Sequence, residues 1–211
     1  IQDSEAMKKF GNTVVVWDFH ARKPLQILEI PGAPLEIRWA LGPRHHYAFT
    51  TAALTSKLWG IFREPDGSFE AVELADIGDP SKVPLPVDIS LSSDDRLLFV
   101  STFLDGTVRV FNVENPRSPT MVYEKKLGQQ TNMISQSWDG DRIYVTSSLL
   151  SKWDYPDPAL DGQYLKAFDW NGQELVPRFE IDFRAEGLGR LHLMRFGQFG
   201  LYATPGGGAA E

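Results

Sequence analysis

Val87-Asp88-Ile89-Ser90-Leu91-Ser92-Ser93-Asp94-Asp95-Arg96-Leu97-Leu98-Phe99-Val100-Ser101 decides the fold, because the chain says it again as Met133-Ile134-Ser135-Gln136-Ser137-Trp138-Asp139-Gly140-Asp141-Arg142-Ile143-Tyr144-Val145-Thr146-Ser147. The copies lie about 45 residues apart, the spacing of four-stranded β-propeller blades. In each, an apolar strand enters a tight Ser-x-Asp turn and a β-branched, aromatic strand leaves it.

A second phrase recurs around the first. Val14-Val15-Val16-Trp17-Asp18-Phe19, Val108-Arg109-Val110-Phe111-Asn112-Val113 and Leu165-Lys166-Ala167-Phe168-Asp169-Trp170 are apolar strands ending in an aromatic and an acidic or amide residue. A polar turn follows each, and then another strand, so the phrase reads as the outer hairpin of a blade. Residues 13–31 supply only an outer strand pair. Residues 34–77, 84–127 and 132–183 read as full blades, the last with an insertion at 149–162, and residues 189–204 begin another. No segment carries a helical period of apolar residues.

The expected fold is therefore all-β, a β-propeller segment of about three full blades with partial blades at both ends. Its expected limits are an N-terminal extension or truncated linker over 1–12, the propeller over 13–204 and a disordered tail over 205–211. Propellers close into rings of roughly 4–8 blades. A closed four-bladed ring is one alternative; the preferred reading is part of a larger ring.

Composition narrows the function. A formal net charge of −7 argues against nucleic-acid and anionic-membrane partners, which favour a basic face. No stretch approaches the ~18 apolar residues of a spanning helix, and no signal peptide is visible at Ile1-Gln2-Asp3-Ser4-Glu5. The absence of cysteine removes disulfides, thiolate ligands and a cysteine nucleophile, but leaves the compartment open.

Several motifs together carry a resemblance. They are Val16-Trp17-Asp18 with Pro24-Leu25-Gln26, Pro34-Leu35-Glu36-Ile37-Arg38-Trp39, Val87-Asp88-Ile89-Ser90-Leu91-Ser92 with Asp94-Asp95-Arg96, Ser147-Ser148-Leu149-Leu150-Ser151 with Trp153-Asp154, and Arg190-Leu191-His192-Leu193-Met194-Arg195-Phe196. Over nearly all of residues 11–197, and in the same order, the chain resembles the selenium-binding protein family, whose bacterial members include the methanethiol oxidases. The resemblance implies a seven- or eight-bladed propeller of which this chain is roughly the C-terminal half. It also implies a copper-dependent oxidase that uses dioxygen on a small thiol, with a protein partner left open. The family's C-terminal histidine, in a His-x-x-Arg setting, falls on His192, and its arginine on Arg195. The family's other ligating histidines belong to the half not represented here, and its selenium-linked cysteine has no counterpart.

The candidate site is thus His192 as a copper ligand with Arg195, Trp153 and Asp154 as catalytic residues, the 149–162 loop lying over them. Imidazole is a common copper ligand, but a site needs two or three converging. Met194 is expected on the same strand face as His192 and reads mainly as core. His45 and His46 are adjacent, so a regular strand would point them to opposite faces; they read as a turn and strand start, and His20 as surface. Asp94-Asp95 and Asp139-Gly140-Asp141 lack the distal acid of a calcium loop, and read as turns whose aspartates cap their own backbone. Gly187-Leu188-Gly189 lacks a phosphate loop's third glycine, and no Gly-x-Ser-x-Gly elbow is present. Glu36, Arg38 and Asp88 are charges within apolar inner strands, read as salt bridges between blades in preference to a channel lining. A non-catalytic binding scaffold is the competing function.

Overall fold

The computed structural model describes residue 5 and residues 8–137, 139–149, 154 and 162–194. A two-stranded sheet of β1 (Thr13–Asp18) and β2 (Lys23–Glu29) comes first. Three four-stranded antiparallel sheets follow in chain order. The first blade is β3 (Pro34–Trp39), β4 (Tyr47–Ala52), β5 (Lys57–Arg63) and β6 (Phe69–Asp76). The second is β7 (Pro86–Leu91), β8 (Leu97–Thr102), β9 (Thr107–Asn112) and β10 (Thr120–Lys126). The third is β11 (Thr131–Gln136), β12 (Arg142–Ser147), β13 (Tyr164–Trp170) and β14 (Leu175–Asp182). In every blade the strands pair in sequence order, which is the up-and-down meander of a β-propeller segment.

The core lies in the seams between successive sheets. Phe49 and Leu58 of the first blade meet Ile89, Leu98, Val100 and Phe111 of the second. Phe99, Val108 and Val110 turn the other way and meet Ile134, Ile143, Val145 and Phe168 of the third. Val16, Leu28 and Ile30 of the two-stranded sheet pack on Ala48, Ala52 and Ile61. Because successive side chains leave opposite faces of a strand, a sheet packed on both sides reads as an unbroken apolar run. Leu97-Leu98-Phe99-Val100 is such a run.

Each inner strand shifts register against its neighbour at the same place: between Pro34 and Ile37, Pro86 and Asp88, and Thr131 and Ile134. The two prolines sit at the first residue of their strands, where a missing N–H is tolerated. The irregularity re-aims the residues beside it toward the axis, and Glu36, Asp88 and Asn132 all lie there.

Two expectations need amending. Phe19 was expected within a strand, but β1 ends at Asp18 and Phe19 stands in the β1–β2 turn, 87% exposed. Residues 189–204 were expected to open another blade, yet no strand is assigned over 189–194. That stretch is tied to the third blade through side chains, without a sheet ladder of its own. Residues 195–204 lie outside the described residues.

Candidate functional site

The inner strands β3, β7 and β11 flank a cleft of about 480 Å³, which residues Leu193 and Met194 also line. Its polar lining includes Glu36, Arg38, Ser90 and Gln136, and its apolar lining includes Leu91 and Met133. Behind it lies Asp88, with no exposed surface. One carboxylate oxygen accepts the Ile134 backbone N–H at 2.8 Å; the other is 3.2 Å from Arg38 Nη2. Arg38 Nη1 donates to Glu36 at 2.6 Å. Three successive blades thus meet on one buried carboxyl group. The expected salt bridge between blades is present, and its two β3 members line the cleft as well. Burial is the main influence on Asp88 and pushes its carboxyl up to about 7, against the pull of the Ile134 N–H and the Arg38 charge.

His192 is exposed, so it is not the buried core histidine that an inner strand would give. Its Nδ1 lies 2.9 Å from the Ser148 carbonyl oxygen and 3.2 Å from Asn132 Nδ2. Asn132 Nδ2 donates to that same carbonyl at 2.5 Å. A carbonyl only accepts, so the Ser148 contact is made by an Nδ1–H, the tautomer that leaves the Nε2 lone pair free; Asn132 Nδ2, itself a donor, then holds the carbonyl and not the ring. The backbone around His192 is held too. Thr146 Oγ1 donates to the His192 carbonyl at 2.5 Å, and Ser135 Oγ to the Met194 carbonyl at 2.6 Å. Met194 lines the cleft while His192 turns to Asn132 and Ser148, so the two do not share a strand face as expected. Strand alternation does not apply where no strand forms.

Asp154 lies behind this histidine, 5% exposed. It accepts Ser148 Oγ at 2.6 Å, the Leu149 N–H at 2.9 Å and Arg190 Nη1 at 2.9 Å. Ser148 has a φ of 98°, which strains a residue with a side chain and persists only where surroundings enforce it. Asp154 supplies that enforcement on one side, and the Ser148 carbonyl orients the imidazole on the other. Trp153 and Arg195, the other two expected site residues, lie outside the described residues.

Sequence reading missed Asn132 and Ser148. The available signal was an amide at the second position of an inner strand, where β7 has Val87. Asn132 Oδ1 is buried without a hydrogen-bond partner, a state with a cost of its own. The remaining histidines stand apart: His20 is exposed in the β1–β2 turn, and His45 binds Asp95 at 2.6 Å. Among the described residues no three His, Cys, Asp or Glu side chains gather to hold a metal ion.

Residues 2–200 match the model of the family described as 56 kDa selenium binding protein. The chain is 52% identical over 204 residues to a methanethiol oxidase of Ruegeria pomeroyi, covering 97% of this chain and 47% of that relative. The structure of a hypothetical selenium-binding protein from Sulfolobus tokodaii aligns with a TM-score of 0.74 at 27% identity, over 86% of this chain and 49% of that one. A β-propeller domain of Cps50 from Myceliophteria thermophila aligns at 0.60 over 83% of this chain and 53% of that one, and at 12% identity speaks for the fold alone. The chain spans about half the length of the curated relatives it matches. No helix among the described residues is long and apolar enough to cross a membrane.

Proposed function

This chain belongs to the 56 kDa selenium-binding protein family, and on that premise we propose that it is part of a methanethiol oxidase in which His192 is one ligand of a copper ion. The observation that carries the reading is the 52% identity to a curated methanethiol oxidase over nearly the whole chain. The hydrogen-bond pattern of His192 supports it. An imidazole fixed through Nδ1–H to a backbone carbonyl presents Nε2 as a ligand, the usual support behind a metal-bound histidine.

The described residues do not make a copper centre by themselves. They offer one suitably held imidazole, and no group of three His, Cys, Asp or Glu side chains gathers among them. Completing the site requires residues beyond those described. What this chain supplies is orientation. Asp154 holds Ser148 and Arg190, the Ser148 carbonyl holds the imidazole and is itself held by Asn132, and Thr146 and Ser135 fix the backbone carbonyls of His192 and Met194. In this proposal Arg195 balances charge near the bound thiolate, and Trp153 within the 149–162 loop covers the site. The substrate is a small thiol and dioxygen is the oxidant.

Two replacements in the purified protein test the reading. His192→Ala should lower both bound copper and methanethiol oxidation by at least about tenfold, since even supporting partners of a ligand contribute roughly 10–100-fold. Copper content equal to the parent's would remove His192 from the ligand set. Asp154→Asn should weaken copper binding about tenfold in protein that still unfolds in one cooperative, lower-temperature transition.

A further inference from the structure

The Arg38–Asp88–Ile134 junction has no part in the reading above, and it is built in a way that ordinary structural salt bridges are not. Its carboxyl is fully buried, yet against that burial it has the Ile134 N–H at 2.8 Å, a smaller contribution from the Ile89 N–H and one guanidinium contact at 3.2 Å. The same guanidinium makes the shorter contact, 2.6 Å, to Glu36. Two carboxylates thus compete for one arginine, one of them behind the cleft and the other on its wall. Glu36 and Arg38, both on β3, are the charged groups acting on Asp88. β11 presents the Ile134 N–H, and from β8 the Ser101 hydroxyl donates to the Asp88 backbone carbonyl at 3.4 Å.

We propose that Asp88 is a proton-bearing positioning residue of the axial cleft, whose ionisation redistributes Arg38 between Glu36 and itself. With Asp88 protonated, Arg38 is committed to Glu36, and that wall of the cleft is neutral. When Asp88 loses its proton, the guanidinium is drawn toward the buried carboxylate and Glu36 faces the cleft less well compensated. The balance is a single proton passing between Asp88 and solvent, with no bond change and no redox partner. The cleft therefore becomes more negative as pH rises through neutrality, disfavouring an anionic occupant and favouring a neutral or cationic one.

Burial supplies the thermodynamic side. Asp88 titrates near 7 in the folded chain against the ordinary 3.8. Between those values the folded state holds a proton that the unfolded state has lost, so stability falls as pH rises from about 4 to about 7 and levels above that.

Infrared difference spectroscopy on the purified protein, labelled with ¹³C-aspartate, reads the carboxyl directly and does not depend on thiol oxidation. Raising pH from about 5 to about 8 should remove one protonated-carboxyl band with a midpoint close to 7. Asp88→Asn should abolish that band and flatten the fall in melting temperature over the same range. Arg38→Met leaves Asp88 in place and removes its cation, so the midpoint should move upward. A parent spectrum with no aspartyl band titrating near neutrality overturns the proposal, as does a band surviving in Asp88→Asn. An unchanged midpoint in Arg38→Met overturns the coupling to Arg38.

Discussion

Asp94 and Asp95 are sequence neighbours with opposite tasks. Asp94 is exposed and accepts Ser92 Oγ at 2.6 Å and the Arg96 N–H at 3.1 Å, the self-capping turn that Ser-x-Asp predicts. Asp139 repeats this in the third blade, taking the Ser137 hydroxyl and the Asp141 N–H, and these bonds hold its carboxyl below the usual range. Asp95 instead has a φ of 59° and is 3% exposed. It reaches the first blade, where it accepts the N–H groups of Leu41 at 2.8 Å and Gly42 at 2.7 Å and contacts His45 Nδ1 at 2.6 Å. The turn reading holds for Asp94 and fails for Asp95, because a left-handed backbone points that side chain away from its own turn. Asp95→Ala should cost about 2 kcal/mol in urea unfolding and Asp94→Ala about 1 kcal/mol or less, since only the first strips several donors of a buried acceptor.

At the scale of elements, turn chemistry sets where strands stop and how blades join. Gly106, between β8 and β9, has a φ of 67°, and an added Cβ would fall 1.9 Å from the Gly128 carbonyl oxygen. Its own carbonyl accepts the Leu127 N–H at 2.8 Å, tying the β8–β9 turn to the chain just after β10. Gly67, in the β5–β6 hairpin, has a φ of 89° and meets nothing nearer than Arg63 Nη2 at 4.0 Å. Gly106→Ala should thus destabilise by about 2–4 kcal/mol, combining backbone strain with a collision against main chain. Gly67→Ala should cost only about 1 kcal/mol from its backbone conformation. Equal melting temperatures for the two variants would contradict this ranking. Blade limits were legible to within a residue or two in the first two blades, 34–77 against Pro34 to Asp76 and 84–127 against Pro86 to Lys126, because alternation and turn residues agree there. Residues 189–194 misled, since an apolar pattern forms a strand only when a neighbouring edge offers a ladder.

Across the molecule, stability resides in apolar seams, with charge contributing at their rims. Phe111 is almost fully buried between the first and second blades, among Phe49, Leu58 and Leu98. Its replacement by alanine should cost about 3–5 kcal/mol. Arg117 bridges the same two blades at the surface. It reaches Glu64 at 2.7 Å and Glu70 at 2.9 Å and lies 4.2 Å over the Phe62 ring. Despite its better-looking geometry on paper, Arg117→Ala should cost less than about 1 kcal/mol, because water screens exposed pairs and solvates the freed partners. Comparable losses from the two substitutions in equilibrium unfolding would refute that ordering. The same seam logic explains the Asp88 junction. Where three blades converge on the axis, desolvation outweighs a shared arginine, and a carboxyl that would be ionised on the surface holds its proton close to neutrality.

The sequence by itself determined the repeating unit. Strand alternation, β-branched runs and Ser-x-Asp turns are local interactions, and a period of about 45 residues left a four-stranded blade as the unit they build. It also marked His192, Asp154 and the charged residues of the inner strands as worth placing. Only the tertiary structure decided what those residues touch. Contacts such as Asp88 with Ile134, Asp95 with Leu41 and His192 with Asn132 span 46, 54 and 60 positions. No local propensity encodes such distances. They arise because packing one sheet face on the next brings inner strands side by side, and the strands carry their polar residues to a common axis with them.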